Sequence, residues 1–166
     1  LTVEGNVEFF DTFGNILKTN KATYDKKIEI VNAYKDSELK TEDGYIITSK
    51  NIVYNIKDKI LSSNESTILV DSDKNTAWVS MFQYNLREKL FSSVGDIKIT
   101  DINKNKYFFK ELHINTKEKE MIGSDVSVLL DPKDFGVKET NDPRFVANDI
   151  FISKNKSVLS KGVFTV

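Results

Sequence analysis

The sequence predicts an all-β protein of about ten to eleven antiparallel strands, assembled from hairpin repeats some thirty residues long. Three observations lead there. The stretch NIVYNIKDKIL (Asn51 to Leu61) returns as MFQYNLREKLF (Met81 to Phe91) and, more loosely, as ELHINTKEKEM (Glu111 to Met121), each copy thirty residues after the last. Within a copy, apolar and polar residues alternate with a period of two, as in a strand with one buried face. No segment keeps the i, i+3, i+4 spacing of a helix beyond a turn.

The elements follow in chain order. Val3 to Phe10 is an apolar strand, with turn or bulge chemistry at Gly5-Asn6 and Phe13-Gly14-Asn15. A second strand runs from about Lys18 to Tyr24. Tyr24, Tyr54, Tyr84 and Ile114 then stand thirty apart, each followed by Asp25, Asn55, Asn85 or Asn115. Two residues before each comes Ala22, Ile52, Phe82 or Leu112. The charged clusters DKK, KDK, REK and KEK suit tight hairpin connections, and apolar residues resume at Ile28, Ile60, Leu90 and Met121. Even positions carry the apolar face: Ile52, Tyr54 and Ile56 in one copy, Trp78, Phe82, Tyr84 and Leu86 in the next. The return strands change phase, with Ile68 and Val70 even, Ile97 and Ile99 odd, and Val126, Val128 and Leu130 even again. A bulge near Gly95 would reset it. Val53, Tyr107, Phe109 and Phe151 fall on the other face, which is therefore not uniformly polar. A fifth copy, NDIFISKNKSVLSKGVF, puts Ile150 and Ile152 in the same places, after an insert (residues 131–145) that holds both prolines.

Composition narrows the classes. A chain of 166 residues suits one domain, read here as spanning 1–166. Twenty-four basic against 25 acidic side chains leave no field that would favour nucleic acid. Eleven Phe and six Tyr supply area to bury, which argues against disorder. With no cysteine, disulfides and thiolate metal sites are excluded within this sequence. No apolar run approaches the length of a membrane-spanning helix. The opening LTVEGNVEFF begins inside a strand pattern, from which we expect a processed or excised domain.

Repeated hairpins stack either as a solenoid or as two facing sheets that form a trough. In both, the apolar stripes merge into one interior. Its expected lining is Ala22, Tyr24, Ile28, Ile52, Tyr54, Ile56, Phe82, Tyr84, Leu86, Leu112, Ile114, Val126, Val128, Ile150 and Ile152. The plain reading of these side chains is core packing. Splayed sheets would instead leave them for a long apolar ligand, and tyrosines suit the wet rim of such a groove.

VEGNVEFFDTFGNILKTNKATYD (Val3 to Asp25) resembles the OstA-type repeat of the bacterial lipopolysaccharide-transport (Lpt) proteins: a Gly-Asn-Val strand, a turn, then a strand ending in Tyr-Asp. The later copies, with SKNIVYN and the small residues Ser63, Ser93 and Gly123, resemble it more loosely. NDPRFVANDIFISKNKSVLSKGVFT (Asn141 to Thr165) is similar to the end of the periplasmic domain of the LptD branch of that family. The resemblance implies an open antiparallel β-jelly roll, or β-taco, in the periplasm of a Gram-negative cell. It implies a non-enzymatic role in which lipopolysaccharide acyl chains ride inside the trough toward a C-terminal outer-membrane β-barrel and its LptE-like plug. It further implies an LptA-like bridge protein that adds to an edge strand. Our candidate edge is the first strand, with Val3, Gly5, Val7 and Phe9, because such an edge has unpaired backbone groups. No cofactor, metal or nucleic acid is expected.

Two rivals stand beside this reading: an LptA-like soluble bridge protein, and a β-solenoid adhesin or polysaccharide-processing domain. For the latter, Asp25, Asn55, Asn85 and Asn115 would form a ladder, but three amides in four rungs argue against acid chemistry. His113, the one histidine, is expected to face outward without catalytic partners. DSDKN (Asp71 to Asn75) lacks the glycine and distal glutamate of a calcium loop and reads as a hairpin turn.

Overall fold

The computed structural model describes residues 1–135 and 143–165. The strands are β1 (Thr2–Phe10), β2 (Ile16–Asp25), β3 (Ile30–Lys40), β4 (Ile46–Asn55), β5 (Ile60–Ser63), β6 (Thr67–Val70), β7 (Thr76–Val79), β8 (Phe82–Asn85), β9 (Leu90–Thr100), β10 (Lys106–Asn115), β11 (Glu120–Leu129), β12 (Arg144–Ser153), β13 (Lys156–Ser160) and β14 (Val163–Thr165). All belong to one antiparallel sheet. The fold is the expected all-β one. Among the described residues, fourteen segments occupy eleven rows, because β5 and β6 both pair with β4, β7 and β8 with β9, and β13 and β14 with β12. Of the insert, a 3₁₀ turn at Pro132–Phe135 and the start of β12 are described, and residues 136–142 lie outside the described residues.

Each row bends in the middle. Register shifts between Glu4 and Val7, Lys18 and Lys21, Tyr34 and Ser37, and Phe109 and Glu111 mark β-bulges that kink the strands. The backbone reverses sign there at Asn6, Lys35, Asp36 and Asp125, and Gly95 has φ +106° at the predicted bulge. The bends fold the sheet over on itself, so that two layers face one another across a shared interior. A straight ten-residue strand would hold its ends about 33 Å apart. Yet Lys89 at one end of the rows meets Asp43 at the other, with Nζ 3.6 Å from Oδ2.

The corners also correct the inward and outward assignment. Where a corner takes two residues, the buried parity flips: β4 buries Ile47 and Ser49, then Ile52 and Tyr54. Trp78, expected inside with Phe82, therefore points out, 38% exposed beneath Lys98 Nζ at 5.0 Å from its ring. Ile68 is likewise outward, and Leu69 fills the interior in its place. Phe109 is buried for the same reason.

Hydroxyls line the inside of the corner. Ser37 Oγ donates to Thr19 Oγ1 (3.1 Å), Thr67 Oγ1 to Ser49 Oγ (3.0 Å), and Ser93 Oγ to the Met81 carbonyl (2.7 Å). Ala33, Ser63, Ser93 and Gly123 recur at thirty-residue intervals in this row, opposite Ile52, Phe82, Leu112 and Ile150. Small against large lets the two layers close to native packing density.

The rows are tied together by their turns. At one end, Asp11 accepts from the Phe13 and Asn15 amides, Asn15 Nδ2 donates to Asp11 Oδ2, and Asn15 Oδ1 accepts the Glu42 amide of the next turn at 3.1 Å. Asp71 with Asn75, and Asp101 with Asn105, repeat the arrangement, passing on to Ile102 and Asp131. DSDKN is therefore a hairpin turn. At the other end, Asp25, Asn55, Asn85 and Asn115 accept amides of their own turns (Lys27, Asp58, Arg87 and Lys117). Their register is that of turn caps. Carbonyls of Glu29, Lys59 and Lys89 accept the Ile56, Leu86 and Thr116 amides of the following turn.

Candidate functional site

Two apolar stripes run the length of the sheet, one on the inner face of each layer. The first passes from row to row through Phe9, Leu17, Leu39, Ile47, Leu69, Ala77, Ile99, Tyr107, Val128, Phe145 and Phe164. The second passes through Tyr24, Val31, Tyr54, Leu61, Tyr84, Phe91, Ile114, Met121 and Ile152. Neither contains a charged side chain. Cross-strand pairing sets this continuity, since residues opposite one another on neighbouring strands share a face.

At the centre the stripes are in contact. Leu39, Ile47, Leu61, Tyr84 and Phe91 are at most 2% exposed, and the Phe82 and Phe91 rings stack with centroids 5.5 Å apart. From the middle rows toward β12, and again at β1, they part. Between Leu69, Ala77, Ile99 and Tyr107 on one side and Ile114, Met121 and Ile152 on the other lies a cleft of about 680 Å³. Its rim is polar, with Asp71, Asp73, Asp101, Lys119 and Lys154. A smaller cleft of about 410 Å³ lies against the edge strand β1, lined by Val3, Val7, Phe9 and Tyr24. An apolar floor under a charged rim suits an amphiphile: tail inside, polar group at the edge.

Along the long side the two rows of turns meet at two ties. Lys89 Nζ, 16% exposed, lies 3.3 Å from Glu42 Oε2 and 3.6 Å from Asp43 Oδ2. The Thr116 hydroxyl donates to Asp43 Oδ2 at 3.1 Å, so the fully buried Tyr84 hydroxyl, 3.0 Å away, donates to Thr116. Farther along, Lys119 Nζ donates to Ser72 Oγ (2.9 Å) and pairs with Asp73 (3.4 Å). Burial pushes the Tyr84 and Tyr54 phenols above their ordinary pKa, in Tyr84 against the opposing pull of the Thr116 hydrogen bond. Burial, with the Asp101 carboxylate, takes Tyr107 up to about 12. For Lys89 burial acts downward, but Tyr84, Asp43 and Glu42 outweigh it and the pKa rises. The interior thus holds neutral phenols at physiological pH.

Of the expected lining residues, Ala22, Ile52, Tyr54, Phe82, Tyr84, Leu86, Leu112, Ile114, Val126, Val128 and Ile150 are buried in the interior, and Tyr24, Ile56 and Ile152 pack against it. Ile28 is a correction: it sits in the turn between β2 and β3, 59% exposed, because the hairpin there leaves the strand plane before the apolar face resumes at Val31. The first stripe was missed, apart from Val128. Its signal is in the sequence nonetheless, as Phe9, Leu39, Leu69 and Ile99 at thirty-residue spacing and Leu17, Ile47, Ala77 and Tyr107 likewise. The named edge residues Val3, Gly5, Val7 and Phe9 lie on β1, which pairs on one side with β2 and forms one end of the sheet.

His113 faces outward and has partners the sequence did not disclose. Its Nδ1 is 2.9 Å from Ser92 Oγ, and its Nε2 2.9 Å from Glu111 Oε1. The trio lines neither cleft, and Ser92 is paired on both sides, with Gln83 and His113. Strand pairing on both sides occupies the backbone donors that an acyl-transfer site would aim at an oxyanion.

No family model matches the chain, and no curated protein matches it by sequence. Among solved structures, it is similar in fold to LptH from Pseudomonas aeruginosa, described as the LptA-homologous periplasmic component of a lipopolysaccharide transport device. The TM-score is 0.57 at 13% identity, over 66% of this chain and 81% of LptH.

Proposed function

We propose that the chain is a non-enzymatic lipid conduit, which carries lipopolysaccharide through the periplasm with the acyl chains inside the trough. The observation that carries this reading is the pair of facing, uncharged stripes, with one cleft running from the middle rows to β12 and another against β1. Likeness to LptH supports it. An apolar lining stabilises an acyl chain by about 0.8 kcal/mol per methylene removed from water. Sugars and phosphates need no enclosure and remain at the charged rim.

In the finer form of the proposal, residues 1–166 are the single periplasmic jelly-roll domain of an LptD-like protein. It receives lipid from an LptA-like bridge protein added to the β1 edge and delivers it to a C-terminal outer-membrane barrel with an LptE-like plug. A soluble LptA-like bridge protein is the second reading, favoured by the likeness to LptH itself. Sedimentation of the full-length protein with outer membranes, against release in the soluble periplasmic fraction, separates the two.

The conduit is tested with a photo-crosslinking residue at Met121, in the large cleft, and another at outward-facing Gln83. Lipopolysaccharide adducts should form at Met121 and not at Gln83. Equal labelling at both would sink the interior route. For the edge, a crosslinker at Val7 should trap the bridge protein.

A further inference from the structure

Tyr84, Phe91 and Leu61 are at most 2% exposed and line neither cleft, although the large cleft reaches Leu69 and Ala77 on the facing layer. A close-packed core of this kind does not admit a chain end-on, since every methylene would have to displace native contacts. The layers, however, are joined differently along their two long sides. At the corner they are continuous backbone, bent at bulges with left-handed residues such as Gly95 and Asp125. At the seam, residues 41–45 face turns 86–89 and 116–119 through side chains: Lys89 to Glu42 and Asp43, and Thr116 to Asp43. These turns are not neighbours in the sheet.

We propose that lipid reaches the central interior from the side, by parting of these turns, and that Lys89, Asp43 and Thr116 form the latch that keeps them shut. This rests on the lipid-conduit reading above. The chemistry suits a latch. Opening hands three polar groups to water, which solvates them, and leaves the sheet ladder intact while the corner bulges act as hinge. The same opening bares Tyr84, Phe91 and Leu61, which an acyl chain then covers. Tyr84 couples the two events, because its hydroxyl donates to Thr116 while its ring belongs to the stripe. A partly buried ion pair is strong enough to bias the closed form and weak enough to break without unfolding.

The chain has no cysteine, so a thiol pair placed at Asp43→Cys and Thr116→Cys can be bridged by a short cleavable crosslinker without side reactions. Purified lipopolysaccharide is the probe, with a benzophenone amino acid in place of Phe91 reporting the centre and one in place of Met121 reporting the large cleft. Bridging should reduce central capture at least tenfold, cleavage should restore it, and capture at Met121 should not change. Equal central capture with the bridge intact overturns the latch and leaves the conduit standing. No capture at either probe in the unbridged protein overturns the conduit, and the lateral route with it. A lipid-free arm guards against misfolding at the buried probe: Lys89→Gln should raise binding of a small apolar dye, which reports the bared Tyr84, Phe91 and Leu61, about two- to fivefold. Unchanged dye binding overturns the latch.

Discussion

The Phe109 ring on β10 occupies the space that a side chain at Gly123 on β11 would need: a methyl group added there would overlap two ring carbons. Gly123 is the fourth of the thirty-spaced small residues, and an aromatic ring stands over it. Gly123→Ala should therefore destabilise the fold by about 1–3 kcal/mol through overpacking. The double variant with Phe109→Leu should recover part of the loss. Urea midpoints measure both, and an unperturbed Gly123→Ala midpoint would contradict the close approach.

The turn ladder gives a second expectation. Asp101 accepts the Asn105 amide, Asn105 Nδ2 and the Tyr107 hydroxyl. Asp101→Ala leaves these donors without their acceptor and should cost about 1–3 kcal/mol. By contrast, Lys21→Ala removes only the solvent-facing pair with Glu4 and should change the urea midpoint very little.

Alkali should unfold the domain in a defined window. Tyr107 has its pKa raised from 10.0 to about 12 in the folded state. Below pH 10 both states are protonated and its contribution is whole. Between 10 and 12 the unfolded state releases the proton first, so stability falls by about 1.4 kcal/mol per pH unit per tyrosine. Above 12 the loss from Tyr107 is complete. Tyr107→Phe should be less stable at neutral pH, lacking the bond to Asp101, yet lose less between pH 10 and 12. Phenolate absorbance followed with circular dichroism tests this.

Tyr84 separates packing from polarity. Tyr84→Phe keeps the ring and drops the bond to Thr116, costing about 1 kcal/mol. Tyr84→Asp would bury a carboxylate in a site with no exposed surface and should prevent folding altogether. A folded, cooperative Tyr84→Asp variant would mean that this interior is wet.

Much of the fold was legible because the thirty-residue echo is written in residue types that physics constrains strongly. Tyr-Asn before a charged turn, or Asp at positions 11, 71 and 101 with Asn four residues later, fixes where strands must reverse. What escaped was the corner. Two residues there reverse the parity of burial, and neither Lys50-Asn51 nor Ser80-Met81 announces that by its chemistry. The sequence reading consequently puts Tyr107 and Phe109 on the outer face and Trp78 inside, and leaves most of the first stripe and the hydroxyls of Thr19, Ser49 and Ser63 unassigned. The latch was invisible for another reason. Lys89 and Asp43 meet through the folding-over of the whole sheet, and nothing in the spacing of their repeats reports that distance.

Because turn after turn, 41–45 excepted, hands a hydrogen bond to the next one along its row, the protein behaves as a ruler with a fixed tick. Excising Ile56 to Asn85 would rejoin like with like and shorten the passage by two rows, whereas removing fifteen residues would splice one kind of bend onto the other. Length in such a scaffold is quantised, and evolution or an engineer can alter its reach only in whole steps.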